Sequence, residues 1–414
     1  MINKDQFGFF QVGDLKTYSK LEALEYAAVV KQPVIWNFNA DKFSKYPWHI
    51  EPPLSLEHYY AERARQLREK YNYLVLWYSG GADSHNVLMS FVKNNIFVDE
   101  IAQYHSMKGS KDDRTTNMNQ EVFETSIPTT QKLLETNPLY KNTKHTVIDL
   151  TDLMTTLYSD VNNKWDNYYH ANTYVAPGAL ARTYMREKIP HFKNLIDQGF
   201  DVCFVWALEK PQITLEDKKF YLNFKDGFDG SVSARTQRLG REWEHDEFFY
   251  WSPDCPDLIA KQAHVVKNYL EKLTPADVDN FYVVDKPYLF DINGVNVNLL
   301  ELSSTVHVNG KLYSLTNQGL HRLIYPDWDP TTIVASKPAS LIFNIRDQWW
   351  FNSANGNIGQ RHFGQSVVWW RDHVCKLDPS MWWEFKFDRK KTPYSGGKKS
   401  IKNSYFLGNI NDQS

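Results

Sequence analysis

Between residues 53 and 274 the apolar positions switch repeatedly between helical spacing and unbroken runs of strand length. Ser55 precedes Leu56, Tyr59, Tyr60, Ala64, Leu67 and Tyr71, a spacing that predicts a capped helix with Arg63, Arg65 and Arg68 facing elsewhere. YLVLWYS (73–79) predicts a strand, and Val87, Leu88, Phe91 and Val92 share one side of the helix after it. IFVDEIAQYH (96–105) predicts a second strand, residues 117–137 a long helical stretch broken near Pro128, and HTVIDL (145–150) a third strand. Helical turns over 179–188 lead to a fourth strand, DVCFVWAL (201–208), and Asp257 caps a last helix carrying Ile259, Ala263, Val266, Leu270 and Leu273. Such alternation, with strands apolar on both faces, predicts an α/β unit: a Rossmann-like parallel sheet with helices on both sides.

The flanks read differently. Residues 1–52 predict a small leading unit, with a short helix capped by Ser19 and Glu22, a strand over 33–39, and a Pro-rich boundary in SKYPWHIEPPL. After 274 the chain becomes short strand-like pieces, Asn/Gly turns and tryptophan doublets, which predicts a strand-rich, aromatic-rich region over 275–414.

At 414 residues with 42% hydrophobic and 23% charged positions, the chain is long enough for a sizeable core without staples. A formal charge of −2 supplies no electrostatic basis for wrapping nucleic acid; the basic stretch from Lys386 to Lys402 is the one handle for it. Three cysteines, far apart and without CxxC, argue against a disulfide scaffold or zinc ribbon and fit a reducing cytoplasm. Cys255, ahead of a helix, is the one worth testing for thiolate chemistry, whereas Cys203 sits in an apolar strand. No leader pattern opens the chain, and its apolar runs fall far short of the ~18 residues that span a bilayer, so no membrane partner is expected. Aromatics at 15%, including the doublets Trp349–Trp350, Trp369–Trp370 and Trp382–Trp383, are read mainly as core filling.

The chemistry is carried by Ser79-Gly80-Gly81-Ala82-Asp83-Ser84, between the first central strand and its helix. A turn at the carboxyl end of a parallel strand lies where open α/β sheets bind ligands, and the next helix aims unpaired N–H groups into it. Gly80 and Gly81 let the backbone approach phosphate, and Ser79 and Ser84 add hydroxyls. Asp83 suits either a bridging Mg²⁺ or an acceptor that fixes the loop. Ser395-Gly396-Gly397 repeats the glycines but lacks the buried strand and the Asp-Ser, and no GxxxxGK[ST] is present. At the end of the fourth strand, Glu209 and Lys210 emerge at the same sheet edge as the loop, an acid suited to Mg²⁺ and a base suited to phosphate oxygens, or else a surface ion pair at a strand end. Arg182 and Arg186 share a helical face suited to a substrate carboxylate or phosphate, and RTQRLGRE (235–242) is similar in kind.

Residues 79–84 resemble the SGGxDS signature of the PP-loop ATP pyrophosphatases, the superfamily of the asparagine synthetase synthetase domain, GMP and NAD synthetases and tRNA-modifying enzymes, with PAPS reductases as cousins. The resemblance covers about residues 70–210. It implies ATP and Mg²⁺ as cofactors, a loop that holds pyrophosphate through residues 79–84, adenine seated near His105, and catalysis by Ser79, Asp83 and Lys210. The implied reaction adenylates a carboxyl or amide oxygen of an unidentified acceptor for displacement by a nitrogen nucleophile. Because residue 2 is Ile2 and the first cysteine is Cys203, the chain carries no glutaminase, so a separate ammonia or amine donor is expected. At the Glu209 position asparagine synthetases carry a Gly-rich acidic motif that this chain lacks. Sulfur transfer to a nucleotide or RNA, and ATP binding without turnover, are the alternative readings.

Overall fold

The computed structural model describes residues 4–17, 23, 26–27, 29–105, 121–150, 189–207, 210–224, 244–272, 281–283, 289–292, 295–298, 304–308, 311–315, 317–329 and 403–410. At the amino end, β1 (Phe9–Val12), β2 (Leu15–Thr17) and β3 (Ile35–Asn37) make a small antiparallel sheet in the order β2-β1-β3. Its Trp36 and the nearby Phe38, Phe43 and Trp48 are buried in one aromatic core with Phe224, Trp251 and Tyr405, where ring centroids of Phe43 and Phe224, and of Phe224 and Trp251, are 4.8 Å apart.

The α/β unit begins with α1 (Leu56–Lys70), which Ser55 caps by accepting from the His58 N–H. There follow β4 (Tyr73–Trp77), α2 (Ala82–Val92), β5 (Glu100–His105), a π-helical turn (Val122–Ser126) running into α3 (Ile127–Thr136), β6 (Lys144–Asp149), α4 (Pro190–Asp197) and β7 (Val202–Trp206). After a hairpin of β8 (Gln212–Glu216) and β9 (Lys219–Asn223) come β10 (Glu244–Phe248) and α5 (Pro256–Glu271). Strands β10-β7-β4-β5-β6 form one wholly parallel sheet. All five residues of β7 are buried, so both of its faces are covered. From β4 the chain moves outward through β5 to β6, then returns across the sheet to β7 and β10. The connections leaving β4 and β7 therefore diverge, and it is at such a switch point that open α/β sheets bind ligands, outside the carboxyl ends of the strands.

A second sheet joins the hairpin to late parts of the chain. Beyond residue 274 lie β11 (Phe281–Val283), the paired β12 (Leu289–Ile292) and β13 (Val295–Asn298), β14 (Ser304–Val308), β15 (Lys311–Leu315), α6 (Asn317–Ile324) and β16 (Ser404–Asn409). The order β11-β15-β14-β8-β9-β16 draws strands from both sides of residue 274.

Several local expectations change. Arg63 does not face away from the core: it is fully buried, bonding Glu247 Oε2 at 3.0 Å and the Phe248 carbonyl at 2.8 Å, because β10 delivers a carboxylate to that side of α1. Asp257 does not cap α5, since Cys255 holds that position without a side-chain bond and Asp257 accepts instead from the Tyr46 hydroxyl. Pro128 stands where the π-helical turn gives way to α3, at the break expected there, and β5 starts only at Glu100. Helical turns at 179–188, the tryptophan doublets, Ser395–Gly397 and the Lys386–Lys402 stretch lie outside the described residues. Among the described residues no helix is long and apolar enough to cross a membrane.

Candidate functional site

The loop after β4 is held in shape by its own hydroxyls. Ser79 N–H donates to Ser84 Oγ (3.2 Å), Gly81 N–H to Ser79 Oγ (3.2 Å), and Ser84 Oγ to the Gly81 carbonyl (3.0 Å), which leaves the Ser79 hydroxyl to donate to Ser84 Oγ (3.0 Å). Both serines are thus engaged inside the loop. The outward donors of this turn are backbone groups, since the first-turn N–H groups of α2, beginning at Ala82, have no intrahelical acceptor. Gly80 is needed for the turn: its φ is +83°, and a Cβ there would lie 2.7 Å from the Glu121 carbonyl and 3.1 Å from Ser126. The π-helical turn closes over this side of the loop, with Ser126 Oγ donating to the Tyr78 carbonyl at 2.7 Å.

Asp83, in the first turn of α2, gathers partners from three parts of the chain. Its Oδ2 accepts from Lys210 Nζ at 2.7 Å, which ties the β4 loop to the segment leaving β7. Its Oδ1 accepts from the Tyr325 hydroxyl, just past α6, and His321 Nε2 of α6 lies 3.6 Å from the same oxygen. The Asp83 carbonyl accepts from Tyr250 at 2.7 Å, and Asn86 donates to that hydroxyl at 3.1 Å. Tyr60 of α1 fixes the end of α6 by donating to the Ile324 carbonyl at 2.6 Å.

Charge in this cluster is settled by burial and by Lys210. Burial opposes ionisation of Asp83, but the Lys210 ammonium outweighs it, with help from His321 and Tyr325, and holds the carboxyl below its ordinary range. His321 is pushed down to about 4 by burial, reinforced by Lys210 against the pull of Asp83, so its imidazole is neutral at pH 7. Burial, then the Asp83 charge, pushes Tyr325 well up, and Tyr250 rises through burial and its acidic neighbours, so both remain hydroxyl donors.

Both Asp83 oxygens carry donors here, so the side chain as placed does not fit a direct Mg²⁺ ligand; it fits the alternative role of loop anchor. Among the described residues no group of three or more His, Cys, Asp or Glu gathers to hold a metal. Glu209, Arg182, Arg186 and residues 235–242 lie outside the described residues. His105 ends β5, one strand from the loop; its ring packs on Phe123 (5.1 Å) beside the π-helical turn, and its Nδ1 is 3.7 Å from Asp149. Cys255 is buried, which pushes its thiol up to about 11, and Cys203 is raised by the same cause, so neither offers a thiolate.

Sequence reasoning missed Tyr250, His321 and Tyr325. They lie 167 to 242 residues from Asp83, and only the i, i+4 spacing of His321 and Tyr325 beside the buried Leu320 and Ile324 hints at a shared helix face. Comparison of the chain with protein-family models, with curated proteins and with solved structures found no match.

Proposed function

We propose that this chain is a cytoplasmic, ATP-dependent enzyme forming AMP and pyrophosphate, which adenylates a carboxyl or amide oxygen for displacement by a nitrogen nucleophile. Its α/β unit would then be a Rossmann-like fold of the adenine nucleotide alpha-hydrolase kind. The observation that carries the reading is the Ser79–Ser84 turn at the switch point between β4 and β7, with Lys210 reaching it from the segment after β7. The backbone donors of the turn and the Lys210 ammonium suit an oxyanion, and in this reading they would meet the charge that builds on a leaving pyrophosphate. Ser79 and Ser84 shape the turn, and Asp83 anchors it.

In the proposed reaction the acceptor oxygen attacks the α-phosphorus, and the bond from the α-phosphorus to the bridging oxygen breaks to release pyrophosphate. The nitrogen nucleophile then attacks the acyl carbon, AMP leaves with the former acceptor oxygen, and the nitrogen gives up a proton to solvent.

Incubation of the purified chain with ATP, Mg²⁺, ammonium and the small-molecule fraction of a cell extract tests the reading. AMP and pyrophosphate are the expected products, and glutamine in place of ammonium is expected to give none. ADP with orthophosphate as direct products would contradict it.

A further inference from the structure

Helix α6 contributes to the loop a side chain whose ring nitrogens the fold leaves without a hydrogen bond. His321 is 9% exposed, and neither ring nitrogen has a hydrogen-bond partner, although the ring is held in place by stacking on Tyr325 at 5.2 Å between centroids. A buried imidazole left unpaired is costly, and burying one for packing alone gains nothing over an apolar ring. Its Nε2 lies 3.6 Å from Asp83 Oδ1, while Lys210 Nζ lies 2.7 Å from Asp83 Oδ2. The imidazole and the ammonium therefore flank one carboxylate in the first turn of α2, an 11-residue helix whose opening N–H groups have no intrahelical acceptor.

The ammonium and the backbone N–H groups are donors only, and the neutral imidazole offers one N–H donor beside one acceptor nitrogen. The donors match the oxygens of a phosphate chain, which would share Lys210 with the Asp83 carboxylate, and an apolar group would satisfy none of them. We propose that His321 is a phosphate-binding residue, which reaches the nucleotide site from the region beyond residue 274 and donates a hydrogen bond to the pyrophosphate portion of ATP. The inference rests on the ATP reading above and adds that the site is incomplete without α6. Tyr325 and Tyr60 are the positioning residues, because they pin the end of α6 to Asp83 and α1.

The test is calorimetric titration of ATP, pyrophosphate and AMP, each with Mg²⁺, into the full chain and into His321→Phe and His321→Gln. Phenylalanine fills the space and keeps the stack on Tyr325 but donates nothing; glutamine keeps an N–H donor. The expected result is a loss of about tenfold or more in affinity for both ATP and pyrophosphate with His321→Phe, an unchanged AMP affinity, and partial recovery with His321→Gln. The unliganded melting temperature of His321→Phe should hold or rise, because a buried unpaired polar group has been removed. Should the phenylalanine variant fail to fold, His321→Asn, too short to reach, takes its place with the same expectation. Unchanged affinity for all three ligands would overturn the inference while leaving the ATP reading standing, and so would an equal loss for AMP. Wild-type protein that binds neither ATP nor pyrophosphate would overturn both.

Discussion

Glu247 and Asp83 are each met by a lysine and a tyrosine hydroxyl, but their settings differ. Glu247, in β10, is 4% exposed; Oε2 accepts from Arg63, and Oε1 from Lys70 (2.7 Å) and Tyr71 (2.5 Å). Burial opposes its charge, and Arg63 and Lys70 hold its carboxyl low all the same. Asp83 keeps 31% of its side chain exposed, and its partners come from the segment after β7 and from the end of α6. A sealed, fully bonded ion pair ties α1 to the edge of the sheet and has nothing left to offer a ligand. A partly open one at a glycine turn contributes little to stability and leaves its cation able to exchange partners.

The largest effect should come from breaking the sealed pair. Arg63→Met leaves Glu247 charged and buried beside an apolar side chain, a situation that typically costs about 3–5 kcal/mol. Chemical denaturation should show that loss, while ATP affinity per folded molecule stays at the wild-type value. An affinity that fell with stability would erase the contrast between the two carboxylates.

Next comes pH. His321 titrates near 4 in the folded chain against about 6.5 in an unfolded one, so between those values the unfolded state takes up the proton and the folded state does not. Stability should therefore fall as pH drops from 6.5 towards 4, by up to about 3 kcal/mol from this group. Asp83 and Glu247 have lowered values, so their contributions are present above about pH 4.5 and are lost as pH falls below it. Melting curves of His321→Phe should be flatter than wild type between pH 6.5 and 4.5 and should converge on the same acid loss below.

Gly80→Ala should cost about 1–3 kcal/mol, since alanine meets both a positive φ and the Glu121 carbonyl. Unlike Arg63→Met, it should also remove the ATP-induced rise in melting temperature. The smallest change in stability belongs to Lys210→Ala, less than about 1 kcal/mol for a partly exposed pair. Its turnover should nonetheless fall by about 10²–10³ if the ammonium meets the leaving pyrophosphate.

What could be read from the sequence follows the range of the interactions. Strands β4, β5, β6 and β7, helices α1, α2 and α5, and the Ser79–Ser84 turn all show in local spacing, because each is specified by residues close in the chain. β10 does not: Glu244-His245-Asp246-Glu247 is almost wholly charged, and remote partners such as Trp206 Nε1 on Asp246 (2.5 Å) and Arg63, Lys70 and Tyr71 on Glu247 make it an acceptable sheet strand. The same remote partner turned Arg63 inward. At the site, the glycines and Asp83 were visible as a motif, whereas His321 and Tyr325 reach it only through the packing of α6, which no spacing near residue 83 encodes.

On this reading the Asp83 cluster serves a nucleotide and the Glu247 cluster serves the fold. The direct measurement is the ATP–Mg²⁺-induced shift in melting temperature of Asp83→Asn and Glu247→Gln, side by side with wild type. Glu247→Gln should melt well below wild type yet keep the full shift. Asp83→Asn should melt within a few degrees of wild type and lose it. A full shift in Asp83→Asn, or its loss in Glu247→Gln despite a folded baseline, would contradict the account.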